Sequence, residues 1–190
     1  MIADEVQSGY GRTGKMFAIE HYGVTPDILV MAKGIASGYP LSAIVSRKEL
    51  MDRQPPGSMG GTYAGNAVAC AAAIATLDVF DQEHLLENCQ ARSEQFFRGL
   101  KTGLNRVLSN RGIDVDIRGL GLMIGVEFFN APQGFAAKVA KEAFNLKTLI
   151  LTTSIYETLR LIPPLNITNE ETDLAVERVV ASVEAAVKNI

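Results

Sequence analysis

The sequence predicts an α/β chain with two parts, a first domain of short strands and a helix and a second, α+β domain. Short apolar runs separated by Gly and Pro fill the first sixty residues, a pattern typical of strands. An Ala-rich apolar stretch without a breaker follows, as expected of a helix. The helical pattern then becomes more charged on one face. We therefore predict domains over 1–80 and 81–190.

Three strands and one helix are expected in the first domain. The apolar runs at 1–6, 27–31 and 41–45 have the length of strands, and their composition predicts that they are buried. After a Pro- and Gly-rich loop at 55–61, residues 66–80 are predicted to form a buried helix.

The second domain should begin with helical sequence to about residue 110. Three glycines among β-formers at 115–129 indicate a bent strand pair, or one strand broken by a Gly turn. Thr168 and Glu171 have the spacing of a capping box, which predicts the start of a closing helix whose apolar residues recur to Ile190. Between these elements we predict a helix at 136–146 and short strands at 148–152 and 159–162.

Composition excludes several classes of function. The 190 residues are 47% hydrophobic, enough for a globular core, and the net charge of -3 gives no cationic surface for nucleic acid or an anionic membrane. Cys70 and Cys89 fall in helical segments, so a disulfide framework is not expected and a reducing compartment fits better. The start of the chain has no targeting pattern. No metal site is predicted.

Lys33 and Asp4 are the first candidate site residues. Lys33 follows a predicted strand and precedes a Gly-rich turn, with no acidic residue between Leu29 and Arg47. An unprotonated lysine amine can condense with an aldehyde, although a lysine at a strand end can simply reach solvent. Asp4 also ends a predicted strand, where it could hold a pyridine nitrogen protonated or cap the next turn.

The segment GYGRTGK at 9–15 nearly matches a nucleotide-binding phosphate loop. Met16 stands where that loop needs a hydroxyl for magnesium, and the acidic pair at 4–5 would repel a triphosphate. We therefore reject nucleotide hydrolysis.

Two further segments could bind anions. GGTYAGN at 60–66 precedes a helix, so backbone amides and the Thr62 hydroxyl could form an anion site; an ordinary Gly loop with Thr62 or Asn66 as helix cap is the alternative. Arg160 is a lone cation in the apolar stretch LRLIPPL, where it could grip a carboxylate or pair with an acid at the core edge.

Together these segments resemble class III aminotransferases, pyridoxal phosphate (PLP) enzymes of fold type I, over essentially the whole chain. The resemblance implies that 1–80 are part of a larger domain with a mixed, mostly parallel sheet and that 81–190 are the smaller α+β domain. The resemblance rests on five stretches in the family's order: IADEVQSGYGRTGK, PDILVMAKGIASGYPL, GGTYAGN, RGLGLMIGVEF and LRLIPPL.

The resemblance implies a role for each candidate residue. Lys33 would form the Schiff base and act as proton shuttle, while Asp4 pairs with the pyridinium nitrogen. Val6 would pack on the ring, and Gln7 would contact its phenolic oxygen. Gly61 and Thr62 would bind the cofactor phosphate of the neighbouring subunit of a homodimer, and Arg160 would hold a substrate carboxylate. Although Arg12 lies in a matching motif, we expect it to be structural.

The implied reaction moves an amino group from an amino acid or ω-amino acid, such as 4-aminobutyrate, to a keto acid, 2-oxoglutarate. The Tyr63-Ala64-Gly65 loop is more similar to 4-aminobutyrate enzymes than to acetylornithine or ornithine enzymes, which are the alternative. Other PLP chemistries, namely aminomutase, racemase and decarboxylase, would share Lys33 and Asp4. A truncated, non-catalytic dimerisation module is the third hypothesis.

The resemblance also implies that the family's N-terminal half lies outside these residues, including its phosphate-binding Gly turn and the aromatic that stacks on the cofactor. We therefore expect a fragment, a mispredicted start or a truncated product, with an open sheet edge and an uncovered apolar face. A cytoplasmic or mitochondrial-matrix location is expected.

Overall fold

The computed structural model describes residues 1–58 and 60–188 and separates into two compact units, Met1–Glu87 and Asn88–Ile190. The elements run β1 (Ile2–Asp4), β2 (Ile28–Met31), β3 (Ala43–Ser46), α1 (Lys48–Met51), α2 (Ala67–Gln82), α3 (Leu85–Leu108), β4 (Asp114–Leu120), β5 (Met123–Phe129), α4 (Phe135–Asn145), β6 (Leu151–Thr152), β7 (Thr158–Leu161) and α5 (Asn169–Lys188). Short 3₁₀ turns cover Ala18–Tyr22 and Lys33–Ala36. The predicted α/β class is confirmed.

The first unit contains a mixed sheet in the order β1-β2-β3. β1 and β2 are parallel, whereas β2 and β3 are antiparallel. One sheet face packs on a small cluster formed by Met31, Ile35 and Ala36, which Ala72 and Ala73 of α2 cover. The sheet and the helix therefore meet around the turn that follows β2.

The prediction that these strands and α2 are buried was wrong for part of their surface. Ile2 is 65% exposed and Ile44 46% exposed, because the register directs both to the face opposite the cluster. In α2, Val68 and Ile74 are 61% and 64% exposed, whereas the buried residues of this helix are Ala69, Thr76 and Phe80. Each apolar run therefore predicted a strand or helix correctly, but it did not predict which face of that element is buried.

The second unit contains an antiparallel sheet in the order β4-β5-β7-β6. The glycines at 115–129 form the strand pair, not a single broken strand, because β4 and β5 make a hairpin with a turn at Gly121 and Leu122. Burial alternates along β5, as expected of a strand with one face on the core. That core is built by residues of α3, α4, α5, β5 and β7, among them Phe96, Leu100, Val126, Val139, Leu159 and Val183.

The capping box predicted for the closing helix is confirmed. The Thr168 backbone N–H donates to Glu171 Oε2 at 2.9 Å, and the Glu171 N–H donates to Thr168 Oγ1 at 3.2 Å. These bonds satisfy amides that the first turn of α5 would leave unpaired. Ile190, where the predicted apolar pattern ends, lies outside the described residues, as does Met59 in the predicted 55–61 loop.

Candidate active site

Asp4 and Lys33 lie where two adjacent parallel strands end. Asp4 is the last residue of β1 and pairs with Val30 of β2, which ends at Met31, two residues before Lys33. The carboxyl ends of parallel strands are where α/β sheets bind ligands. The sheet therefore brings the predicted lysine and carboxylate to one edge.

The Asp4 carboxylate is exposed and anchored on one side. Its Oδ1 accepts the backbone N–H of Val6 at 3.1 Å, which is the turn-capping contact that the sequence allowed. Within the described residues Oδ2 accepts no hydrogen bond. Asp4 can thus cap its turn and still present an acceptor oxygen to a ligand.

Lys33 occupies an unusual backbone conformation. Its φ of 48° is in the left-handed region, which a residue with a Cβ adopts only when its surroundings impose it. Ile35 and Ala36 of the same turn are buried, while the Lys33 side chain is exposed. The two buried residues anchor the turn in the core. The exposed Lys33 amine forms no ion pair with the described residues.

Val6 and Gln7 begin the loop after β1 and are half-buried. Tyr10, on the same loop, contacts the lysine turn: a Cβ on Gly34 would lie 3.0 Å from Tyr10 Cβ, and the Tyr10 hydroxyl donates to Met31 Sδ at 3.8 Å. Burial raises the pKa of the Tyr10 phenol. The loop that carries the predicted ring contacts is therefore packed on the lysine turn.

The phosphate-loop resemblance at 9–15 has no counterpart in the geometry. The Gly11 and Gly14 amides donate to the carbonyls of Met16 and Gly11, at 3.2 and 2.9 Å. Lys15 Nζ donates to the Glu20 carbonyl at 3.1 Å. These donors serve the loop itself.

Gly61 and Thr62 lie on an exposed loop before α2. Asn66 is the residue that caps this helix, because its Oδ1 accepts the amides of Val68 and Ala69 at 2.9 and 3.1 Å. The amides of Val68 and Ala69 are thus already bonded and are not donors for an anion at 60–66. The phosphate role of Gly61 and Thr62 stays a prediction.

Arg160 belongs to the second unit, on β7, where it pairs with Gly125 of β5. Arg118 of β4 pairs with the same glycine, so the two arginines lie in one row across the sheet. Arg118 forms salt bridges with Asp116 and Glu127, which raise the pKa of its guanidinium. Arg160 forms no salt bridge with the described residues, and its buried Nε has no hydrogen-bond partner among them. Its donors suit a carboxylate.

Glu5 is a structural anchor that the sequence motifs did not identify. The residue is only 3% exposed, and its carboxylate accepts the amides of Ala18 and Ile19 at 3.1 and 2.7 Å. The available signal was its place after Asp4 at the end of a strand, since consecutive side chains there point to opposite faces.

The described residues include neither a membrane-spanning helix nor a metal-binding group. They contain no helix long and apolar enough to cross a membrane. They also contain no group of three or more His, Cys, Asp or Glu arranged to hold a metal ion.

Comparison with known proteins decides the family. A family model described as aminotransferase class-III matches residues 1–183. The chain belongs to the class III aminotransferase family. The predicted family is thereby confirmed, and class III aminotransferases depend on PLP.

This class III aminotransferase chain is similar to several curated relatives. It is 42% identical over 174 residues to the 4-aminobutyrate aminotransferase GabT of Escherichia coli (strain K12), covering 88% of this chain and 40% of that protein. It is 39% identical over 177 residues to an acetylornithine aminotransferase of Archaeoglobus fulgidus, covering 93% and 43%. The chain thus spans about two fifths of the length of these relatives.

Solved structures give the same fold. A transaminase from the marine bacterium Virgibacillus superposes with a TM-score of 0.91 at 30% identity, covering 99% of this chain and 45% of that one. The ornithine δ-aminotransferase of Plasmodium falciparum gives 0.87 at 34% identity, covering 100% and 48%. The predicted fold of a PLP-dependent transferase is confirmed.

The residues present fit PLP on the chemistry of their donors. An aldehyde requires an amine, and Lys33 presents one. A pyridine nitrogen requires an acidic partner, and Asp4 lies on the neighbouring strand with Oδ2 unengaged by the described residues. The class III aminotransferase site can therefore be assigned residue by residue as a proposal.

Proposed function

We propose that this chain is the lysine-bearing part of a PLP-dependent transaminase. It would serve the transfer of an amino group from an amino acid or ω-amino acid, such as 4-aminobutyrate, to 2-oxoglutarate. One observation carries the proposal: Asp4 and the Lys33 turn lie at the carboxyl ends of adjacent parallel strands.

Each residue has a defined task. Lys33 Nζ would hold the cofactor aldehyde and, as a free amine, would carry a proton to and from the substrate carbon. Asp4 Oδ2 holds the proton on the pyridine nitrogen, while Val6 and Gln7 contact the ring. PLP, when bound, supplies a ring that accepts electrons from the reacting carbon.

The remaining contacts orient the substrate and the phosphate. Arg160 binds a substrate carboxylate through paired N–H donors. Gly61 and Thr62 bind the phosphate of a cofactor in the neighbouring subunit, which makes the active site shared within a homodimer. The exposed position of the 60–66 loop supports that assignment. A cytoplasmic or mitochondrial-matrix location remains part of this proposal.

An acetylornithine or ornithine donor is the second candidate, and relatives with those names support it. Single-turnover assays of the PLP-loaded protein with 4-aminobutyrate, acetylornithine and ornithine would rank the donors. Formation of glutamate from 2-oxoglutarate distinguishes transamination from racemase, aminomutase or decarboxylase chemistry. A non-catalytic dimerisation module would form a dimer but transfer no amino group.

The decisive experiment is to incubate the purified chain with PLP, reduce with borohydride, and locate pyridoxyl-lysine by peptide mass spectrometry. We expect modification at Lys33, loss of that modification in Lys33→Ala, and unchanged modification in Lys48→Ala, a control at an exposed lysine paired with Asp52. Scattered labelling of surface lysines, or a specific adduct that persists in Lys33→Ala, would refute the assignment.

A further inference from the structure

Glu5 is a buried carboxylate directly after the predicted pyridine partner. It is 3% exposed, whereas Asp4 beside it is exposed. The two side chains point to opposite faces of the strand end, and the Glu5 amide continues the β1–β2 ladder by donating to the Val30 carbonyl at 2.9 Å. Burying a carboxylate is costly unless hydrogen bonds satisfy it, so its partners indicate its purpose.

Those partners lie at both ends of the loop after β1. Near the start, Ser8 Oγ donates to Glu5 Oε2 at 2.5 Å. At the far end, the amides of Ala18 and Ile19 donate to Oε2 and Oε1 at 3.1 and 2.7 Å. Both carboxylate oxygens are therefore acceptors, a role that an amide side chain cannot fill. Glu5 closes the loop onto the end of β1.

The closed loop contacts the proposed site at two places. The Val6 N–H donates a hydrogen bond to Asp4 Oδ1 at 3.1 Å. Four residues later, Tyr10 lies against Gly34 and Met31, which flank Lys33. Gly9 lies between Val6 and Tyr10 along this loop. A Cβ at Gly9 would approach the Glu5 carbonyl oxygen to 2.7 Å, so this close packing requires glycine. The loop is thus a physical link between the lysine turn and the carboxylate.

We infer that Glu5 is a positioning residue of the cofactor site: by fixing this loop, it orients the Asp4 carboxylate and supports the Lys33 turn. The inference rests on the proposed function, because its consequence is measured on PLP. The Glu5 side chain touches neither cofactor nor substrate, and it acts through Val6 and Tyr10.

The test compares Glu5→Gln with Glu49→Gln, which makes the same charge change on an exposed residue of the same unit. Hydrogen exchange without PLP should be at least about tenfold faster at Ala18 and Ile19 in Glu5→Gln, the scale of losing a hydrogen bond to a charged group. The dissociation constant for PLP should rise about tenfold, and the pH midpoint of the bound cofactor's absorption band should move. Ser8→Ala, which removes one donor and keeps the carboxylate, should change the same readouts less.

Two results would overturn the inference. One is unchanged exchange at these amides in Glu5→Gln, whether or not PLP binds. The other is a lower melting temperature with the same PLP affinity and the same absorption midpoint, which is what a purely structural residue would give. If the unmodified chain is not labelled at Lys33, the proposed function fails and the cofactor part of this inference fails with it. The exchange measurement still reports separately on the loop.

Discussion

Gly103 of α3 lies directly beneath Val180 of α5, where a Cβ on the glycine would come within 2.4 Å of Val180 Cγ2. One turn earlier, a Cβ on Gly99 would come within 2.8 Å of Val176 Cγ1. The two helices approach closely because both positions lack a side chain.

Gly103→Ala should therefore destabilise the protein despite the better helix propensity of alanine. Propensity alone would stabilise an exposed helix by about 1 kcal/mol, whereas overpacking a core contact costs about 1–3 kcal/mol. Urea unfolding measures the balance, with Lys101→Ala, at an exposed site of the same helix, as control. Adding Val180→Ala should recover part of the loss in a double-mutant cycle. Greater stability of Gly103→Ala would contradict the packing described.

Asp4→Asn should leave Lys33 able to bind PLP but slow amino transfer by about 100-fold or more, the scale of removing one charge-stabilising group. The amide can still accept the Val6 N–H, so the turn should survive, while the negative charge proposed to pair with the pyridine nitrogen is lost. Single-turnover transfer by the PLP-loaded protein measures the rate. Asp52→Asn, at an exposed carboxylate paired with Lys48, is the matched control. Equal rates in both variants would remove Asp4 from the mechanism.

Arg160→Ala should raise the KM for 2-oxoglutarate about 10- to 100-fold with little change in PLP affinity, because a paired guanidinium–carboxylate contact is lost. Steady-state kinetics and a PLP titration separate these effects. Arg118→Ala is an informative comparison, since Arg118 lies in the same row of the sheet but its charge is already paired with Asp116 and Glu127. An unchanged KM in Arg160→Ala would exclude the carboxylate role.

Tyr10 should make stability fall at alkaline pH. Burial raises its pKa above 10.0 in the folded chain, so the unfolded chain ionises first as the pH rises. Its contribution is full below the unfolded value and is lost as the pH passes through the raised folded value. The free energy of unfolding between about pH 8 and about pH 11 should decline less in Tyr10→Phe. Tyr22→Phe, at a residue 68% exposed, should decline as the unmodified chain does. Identical curves for all three proteins would contradict the prediction.

Sequence periodicity predicted most elements, because strand and helix formation depend on local apolar spacing. The Thr168–Glu171 cap was predictable for the same reason, since its partners are three residues apart. Burial was not predictable to the same degree. The apolar runs alone indicated burial, whereas the exposed Ile2 agrees with the uncovered apolar face that the resemblance implied. The exposure of Ile74 depends on which side of α2 packs against the cluster.

The candidate site was predictable where strand ends identify it, as at Asp4 and Lys33. The hydrogen-bond partners of Glu5 were not predictable, because the amides at 18 and 19 follow an irregular loop without periodicity. The contrast between Arg160 and Arg118 also required the structure, because the strand register places both beside Gly125. Long-range pairing is the part of this site that spacing along the chain does not reveal.

The strand order β4-β5-β7-β6 also bears on the sequence of events during folding. β4 and β5 are joined by a two-residue turn and pair locally. Ile124 of β5 pairs with Leu161 of β7, and the segment between them includes all of α4. Closing a longer loop costs more entropy and non-local pairing is slower. The hairpin should therefore gain amide protection before β7 joins it, an order that pulsed hydrogen exchange during refolding would resolve.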